Sequence, residues 1–136
     1  MRYGFFVFFI LVILLSNSCL SVRNTEVSED LKKYVDSKEL ELLVEKIKSG
    51  EETGIVIVDV RPENVYKAAH IPTAINIVNG MIKPEQEDLK SKKMILYCET
   101  GGRVEFAKKN LIKSGFDKKN MLNFGGFSRY KGEIEK

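Results

Sequence analysis

The stretch "LYCETGGRVEFAKKNLIKSGF", residues 96–116, contains the order of features that decides the fold. The apolar run "KMILYC" ends at Cys98, two consecutive glycines follow, and an amphipathic pattern begins after Arg103. The apolar positions of that pattern are Val104, Ala107, Leu111 and Ile112, its wet side carries Lys108, Lys109 and Lys113, and Gly115 is placed to end it. The pattern predicts a strand that delivers Cys98 to a tight loop at the start of a helix.

The rest of the chain predicts further strands. "GIVIVDV", residues 54–60, is a nearly continuous β-branched run, which is typical of a strand covered on both faces. "AINIV", residues 74–78, and "NMLNF", residues 120–124, predict two more strands. Because these strands alternate with helical patterns through short links, the sequence predicts a parallel α/β sheet.

Three more helices are predicted around these strands. One covers residues 37–50, where Leu40, Leu43, Val44 and Ile47 share one face, Ser37 is placed as the N-terminal cap and Gly50 as the stop. A second begins at Pro62, whose fixed φ suits a first helical turn, and runs over residues 62–70. The third is short and covers "PEQEDLK", residues 84–90.

The N-terminus predicts export. Residues 1–18 combine Arg2, the apolar run "FFVFFILVILL" and a small polar exit, which is typical of a signal peptide and shorter than the about 20 residues of a spanning helix. For Cys19 three outcomes stay open: lipidation, plain cleavage nearby, or an uncleaved amphipathic anchor. Residues 19–29 are interpreted as a tether and residues 30–136 as the domain. The predicted location is therefore the periplasm, free or as a membrane-anchored lipoprotein.

Charge and residue usage narrow the classes of function. The net charge is +3, the charges are mixed along the chain, and no basic stripe or aromatic ladder points to nucleic acid. The sequence has one histidine and no metal-ligand spacing, so we expect no metal and no cofactor. If Cys19 is lipidated or removed, Cys98 is the one thiol left, and an unpaired cysteine in an exported protein indicates reactivity.

The loop after Cys98 suits an anion. In open α/β sheets, ligands bind beyond the carboxyl ends of the strands. Residues 99–103 lead into a helix N-terminus, and two glycines permit backbone angles that turn N–H groups inward. Such a loop would stabilise a thiolate and make Cys98 a nucleophile without a histidine base. The alternative is a buried cysteine that packs as a small apolar side chain.

Three blocks of the sequence resemble, in order and spacing, the signature blocks of the rhodanese family of single-domain sulfurtransferases. They are "IVDVRPENVYKAAHIPTAINI", "LYCETGGRVEFAKKNLIKSGF" and "NMLNFGGFSRY", and they cover about residues 55–130. The residues that match the family motifs are Asp59, Val60, Arg61, Tyr66, His70, Ile71, Pro72, Ala74, Ile75, Asn76, Cys98, Gly101, Arg103, Gly125 and Gly126.

The resemblance implies a three-layer fold with a central parallel sheet of four to five strands and helices on both faces. It implies a sulfurtransferase that moves sulfane sulfur from a thiosulfate-like donor to a thiophilic acceptor, cyanide or a thiol, through a persulfide on Cys98. The loop that would bind the anionic sulfur consists of Glu99, Thr100, Gly101, Gly102 and Arg103. Structural support rather than catalysis is assigned to Asp59, Arg61 and His70.

Some positions depart from the family pattern. Ala69 and Thr73 stand where the family usually has glycine, and Val104 stands where many relatives have a serine or threonine hydroxyl. Glu99 adds a negative charge beside the predicted anion site. Val104 and Glu99 motivate the alternative reading, a non-catalytic binding module or a sulfur carrier that delivers sulfur to a protein partner.

Loop length separates two kinds of cysteine chemistry. The motif of phosphatases with a cysteine nucleophile is a cysteine, five residues and an arginine. In this chain, four residues separate Cys98 from Arg103. The shorter loop fits a single sulfur atom better than a tetrahedral phosphoryl group. We therefore expect sulfur transfer rather than phosphatase or arsenate-reductase chemistry.

Overall fold

The computed structural model describes residues 23–136, so the predicted leader and Cys19 lie outside the described residues. Its sheet has four parallel strands in the order β2-β1-β3-β4. They are β1 (Ile55–Asp59), β2 (Ile75–Asn76), β3 (Lys93–Cys98) and β4 (Met121–Gly126). The predicted α/β fold with a parallel sheet is confirmed, and the second strand is shorter than residues 74–78 because a 3₁₀ turn begins at Val78.

Between Glu29 and Lys136, four α-helices and several 3₁₀ segments precede or connect the strands. The α-helices are α1 (Glu29–Lys32), α2 (Ser37–Lys48), α3 (Glu63–Ala68) and α4 (Gly102–Lys113). The predicted helix over residues 84–90 is a 3₁₀ helix, Pro84–Ser91, and Pro62 caps α3 rather than entering its first turn. Shorter 3₁₀ turns lie at Lys33–Val35, Val78–Gly80, Lys118–Asn120 and Phe127–Arg129.

The helices cover both faces of the sheet. Alternation along β3 sends Ile95 and Tyr97 to one face and Met94, Leu96 and Cys98 to the other. Buried on the first face are Leu31 of α1 and Leu40, Leu43 and Val44 of α2, and buried on the second are Val104, Ala107 and Leu111 of α4. The three-layer arrangement is the one predicted, and it puts Cys98 on the α4 side.

The cap of α2 differs from the prediction. Asp36 is the N-cap, and its carboxylate accepts a hydrogen bond from the Glu39 N–H at 3.2 Å. Ser37 is the first helical residue, and its hydroxyl instead accepts from the Lys131 N–H at 2.8 Å. A serine one position inside the helix cannot cap it, because the capping residue must keep a non-helical backbone. Gly50, with a φ of 77°, follows the end of the helix as expected.

Two side chains of α4 exchange their predicted environments. Lys108 is only 7% exposed although it was expected on the wet side, whereas Ile112 is 43% exposed. The segment before α1 covers this side of the helix, and the Lys108 ammonium donates to the carbonyl of Arg23 at 3.4 Å. Burial lowers the pKa of Lys108 below its ordinary value.

The end of the predicted tether packs against the domain. Asn24 and Val27 are each 4% exposed, and both the Ser28 N–H and its hydroxyl donate to the Lys119 carbonyl. These contacts arise because β4 lies at the edge of the sheet, where its neighbourhood offers unpaired backbone groups. Within residues 23–136, the structure has no helix with the length and apolarity needed to cross a membrane.

Candidate active site at the end of the third strand

Cys98 is the last residue of β3 and is almost completely buried. Its exposed fraction is 2%, and its strand neighbours are Gly126 of β4 on one side and the end of β1 on the other. Apolar side chains on the same face of the sheet, Val58, Val60, Leu96 and Val104, belong to the same cluster as Cys98. A central strand with apolar neighbours therefore fixes the position of the sulfur, and the loop that follows offers it a polar contact.

That loop supplies one hydrogen bond directly to the sulfur. The N–H of Gly101 donates to Cys98 Sγ at a distance of 2.9 Å from nitrogen to sulfur. Gly101 is the N-cap of α4 and has a φ of 89°, a left-handed conformation that favours glycine. The first N–H groups of α4 have no partner inside the helix, and the helix dipole places partial positive charge there. The arrangement places the positive end of the helix dipole beside the sulfur.

The two consecutive glycines have different roles. Gly101 has the left-handed backbone, whereas Gly102 is the first residue of α4 and is not among the residues with positive φ. A Cβ on Gly102 would have only the Thr100 hydroxyl nearby, at 3.9 Å, while a Cβ on Gly101 would lie 2.8 Å from Gly125 Cα. Of the two glycines expected to permit the turn, Gly101 is therefore the one whose left-handed conformation the turn uses.

The glycine pair at the end of β4 passes directly beside the loop. A Cβ on Gly126 would lie 2.3 Å from the carbonyl oxygen of Glu99, closer than any real contact. Together with the approach of Gly125 to Gly101, this means that β4 touches the loop backbone at two points. The third signature block thus shapes the site through close backbone packing.

Arg61 connects the end of β1 to the loop. Its Nε and Nη2 donate to the carboxylate of Asp59 at 2.7 to 3.0 Å, Nη2 also donates to the Ala69 carbonyl, and Nη1 donates to Glu99 at 2.8 Å. Burial alone would lower the pKa of Arg61, but the hydrogen bonds to Asp59 and Glu99 raise the pKa above its usual value. The guanidinium also lies 4.4 Å from the Phe127 ring. Asp59 and Arg61 form a buried ion pair, and Arg61 extends it to Glu99.

The two charged side chains of the loop, Glu99 and Arg103, differ in their ion pairing. Glu99 is paired with Arg61, whose guanidinium it shares with Asp59. Arg103 is exposed and forms no ion pair with any residue of the range 23–136. Its guanidinium is therefore available to an anion that approaches the loop.

His70 is tied to α3 and to the C-terminal residues. Its Nδ1 lies 2.9 Å from the Tyr66 carbonyl and its Nε2 lies 3.1 Å from the carboxylate of Glu135. The ring stacks on Tyr66 with 4.0 Å between centroids, and the backbones of His70 and Glu135 pair as an antiparallel bridge. These contacts hold the C-terminal residues against α3, and they engage both ring nitrogens of His70.

Two departures from the family pattern have a structural reading. Val104 is fully buried in the cluster that contains Cys98, so this chain offers the sulfur an apolar neighbour where many relatives have a hydroxyl. Thr73 has a φ of 70°, which explains why glycine is usual there, and its buried hydroxyl has no hydrogen-bond partner among residues 23–136.

Asn123 is the site residue that the sequence reasoning missed. It lies inside β4, is fully buried, and its side chain bonds to the Gly101 carbonyl, to Glu105 and to the Gly125 N–H. Asparagine is depleted in strand interiors, so its presence in a strand pattern was a signal that could have been followed.

Among residues 23–136, no group of three or more acidic, histidine or cysteine side chains is placed to hold a metal ion.

The sequence and fold are similar to those of known sulfurtransferases. The rhodanese-like domain family matches residues 39–133, and the chain belongs to that family. GlpE, a thiosulfate sulfurtransferase of Coxiella burnetii, is 31% identical over 78 residues, which are 57% of this chain and 72% of the relative. "Putative sulfur carrier protein YrkF" of Bacillus subtilis is 32% identical over 80 residues, 58% of this chain and 42% of the relative.

A solved structure agrees with the family assignment. A rhodanese from E. coli, determined with anions, superposes with a TM-score of 0.51 and 26% identity over 60% of this chain and 98% of that chain. The alignments with curated relatives span from 21% to 72% of the relatives' lengths. These relatives, at about 30% identity, are named as sulfurtransferases or as a sulfur carrier.

Proposed function

We propose that this protein is a sulfurtransferase that carries sulfane sulfur on Cys98. The observation that carries the proposal is the hydrogen bond from the Gly101 N–H to Cys98 Sγ, at the point where β3 ends and the N-terminus of α4 begins. Positively polarised N–H groups favour the thiolate, which is the nucleophilic form of cysteine. The thiosulfate sulfurtransferase among the relatives supports the choice of donor.

The first half of the reaction loads the cysteine. The Cys98 thiolate attacks the outer sulfur of thiosulfate, a sulfur–sulfur bond forms to Cys98, and the bond to the sulfonate sulfur breaks so that sulfite leaves with the electron pair. The product is a persulfide whose outer sulfur is negative. Loop N–H groups stabilise that charge, and Arg103, which is exposed and free of ion pairs within the described range, attracts the anionic donor.

The second half of the reaction empties the cysteine. A thiophilic acceptor such as cyanide or a thiolate attacks the outer sulfur, and the electron pair of the broken bond returns to Cys98 as thiolate. No proton acceptor is needed in either half, because nucleophile and leaving group are both anions. The absence of a histidine beside Cys98 among the described residues is compatible with this chemistry.

A sulfur carrier is the second candidate, and two observations favour it. One relative is named as a sulfur carrier, and Val104 replaces a hydroxyl that could assist turnover. A carrier would load the same persulfide and pass the sulfur to a protein partner, so that turnover with small acceptors would be slow. The two candidates share the first half-reaction and differ in the second.

Thiocyanate formation separates the candidates. The purified full chain is incubated with thiosulfate and cyanide, and thiocyanate is measured against time. A sulfurtransferase forms many equivalents per protein, a carrier forms about one, and Cys98→Ser forms none because its hydroxyl stays protonated in the same loop. Equal turnover by Cys98→Ser and the wild type would contradict both candidates.

A further inference from the structure

The segment 23–28, which precedes the matched family region, lies against the open edge of β4. It is anchored at three places: Val27 is buried in the core, Ser28 is bonded to Lys119, and the Lys108 ammonium donates to the carbonyl of Arg23. Asn24, between these anchors, is 4% exposed. A segment outside the family region is therefore built into the domain.

The side chain of Asn24 pairs with the backbone of Asn123 as a neighbouring strand would. Asn24 Oδ1 accepts from the Asn123 N–H at 2.8 Å, and Asn24 Nδ2 donates to the Asn123 carbonyl at 2.9 Å. A carboxamide has one acceptor and one donor group at the spacing of a peptide, so both edge groups of Asn123 are satisfied. The pairing occurs where the register between β3 and β4 shifts, after the pair Leu96 and Asn123.

Asn123 transmits this contact to the loop. Its two amide hydrogens go to the Gly101 carbonyl at 3.1 Å and to Glu105 Oε1 at 2.8 Å, and its Oδ1 accepts from the Gly125 N–H at 2.8 Å. Gly101 is consequently held at its carbonyl by Asn123, while its own N–H points to Cys98 Sγ. The chain of contacts from Asn24 to the sulfur contains only buried or partly buried groups.

A second contact places the same segment against Gly101. The Nη1 atom of Arg23 lies 3.1 Å from the point where a Cβ on Gly101 would stand. The guanidinium thus fills the space beside the glycine that the loop conformation leaves open. The segment 23–28 supports Gly101 both directly and through Asn123.

We propose that Asn24 is a positioning residue for sulfur transfer. It acts through Asn123, which holds the Gly101 carbonyl, on the backbone orientation of Gly101 and so on the direction of the Gly101 N–H. The inference rests on the proposed function for its effect on rate. Without the Asn24 amide, the Asn123 backbone loses two partners at the sheet edge, its side chain is no longer fixed, and the Gly101 N–H spends less time directed at the sulfur. Loss of orientation at a reacting atom is costly even when folding is unaffected.

The test compares two variants of the full chain that weaken the same segment. Asn24→Ala removes both bonds to Asn123, whereas Ser28→Ala removes the hydroxyl bond to Lys119 and leaves Asn123 untouched. Two quantities are measured: the single-turnover rate of sulfur loading from thiosulfate, and the hydrogen-exchange rate of the Gly101 amide by NMR. Asn24→Asp, which keeps the acceptor but not the donor, replaces Asn24→Ala if the latter does not fold.

The expected result is a loading rate about tenfold lower and a faster Gly101 exchange in the Asn24 variant, with both quantities near wild type in Ser28→Ala. If both variants behave alike, the segment only stabilises the domain, and the inference is overturned. If the wild type itself loads no sulfur, the proposed function fails, and Gly101 exchange alone decides: a faster exchange specific to the Asn24 variant supports the positioning contact, and an unchanged one overturns it.

Discussion

Thr73 shows at the scale of one residue how this chain departs from its family at a structural cost. Its φ of 70° is left-handed, a conformation that costs an L-residue roughly 1–2 kcal/mol and suits β-branched side chains least. The buried hydroxyl adds to the cost because it has no hydrogen-bond partner in the part of the chain that the structure describes. The position lies in the link between α3 and β2, so its strain concerns stability rather than sulfur chemistry.

Replacing this residue should stabilise the protein. We expect Thr73→Gly to raise the free energy of unfolding by about 1 kcal/mol, since relief of the backbone exceeds the roughly 0.5–1 kcal/mol that glycine's freedom adds to the unfolded state. Denaturant unfolding measures the change. Asn79→Gly is the matched control: Asn79 also has a positive φ, 53°, but asparagine tolerates it, so little stabilisation is expected. A Thr73→Gly variant less stable than the wild type would show that the strain is absent.

Gly101 and Cys98 make up the smallest unit that the proposed chemistry needs. One backbone N–H is directed at one sulfur, and that N–H is held by a conformation available to few residues other than glycine. Arg61 links Glu99 to Asp59, since one guanidinium bonds to both carboxylates. Arg103 is the cation of the loop that has no ion pair in the part of the chain that the structure describes.

At the scale of elements, the loop is held between α4 and β4. Gly101 caps the helix, Gly125 passes within contact of Gly101, and Gly126 passes within contact of the Glu99 carbonyl. A side chain at residue 101 would both oppose the backbone angle and press on β4. The geometry of the sulfur site is therefore a property of the strand, the loop and the helix together.

This arrangement predicts that Gly101→Ala abolishes sulfur transfer while Cys98 remains. We expect at least about a hundredfold loss in thiocyanate formation, since the N–H can no longer point at the sulfur. Gly50→Ala is the control: it places a Cβ at a similar φ, 77°, with nothing within 4 Å, so it has a comparable backbone cost but leaves the site intact. Folding of each variant is followed by circular dichroism. Full activity in a folded Gly101→Ala variant would mean that this N–H does not activate the cysteine.

The elements themselves were largely predictable, because their patterns are local. The β-branched run before Asp59, the apolar run before Cys98 and the stripe of Leu40, Leu43 and Val44 each identify one element and its buried side. Asp36 was missed as a cap since serine and aspartate are both good caps, and only the geometry shows which one precedes the helix.

The contacts that complete the site were not predictable, because they join residues far apart in the sequence. Asn24 and Asn123 are 99 positions apart, and Arg61 and Glu99 are 38 apart. The prediction that Lys108 lies on the wet side of α4 was wrong, because the burial of Lys108 depends on where the segment 23–28 lies. Periodicity describes one element at a time and cannot locate the partner that covers it.

In the whole molecule, the sheet brings three parts of the chain together at the carboxyl ends of its strands. The end of β1 supplies Arg61, the end of β3 supplies Cys98, and the end of β4 supplies the two glycines. Because parallel strands align their carboxyl ends, one side of the sheet collects all of them. The segment 23–28 then covers the free side of β4. Hydrogen bonds connect this segment, through Asn123, to the loop that follows Cys98.

The central claim, that Cys98 carries sulfur, is tested most directly by mass spectrometry of the full chain after exposure to thiosulfate. We predict a gain of about 32 Da, one sulfur atom, on the peptide that contains Cys98, residues 94–103, and its removal by cyanide, as expected of a covalent intermediate. Cys98→Ser should show no gain on this peptide. A folded wild-type protein that gains no sulfur on residues 94–103 would contradict the account.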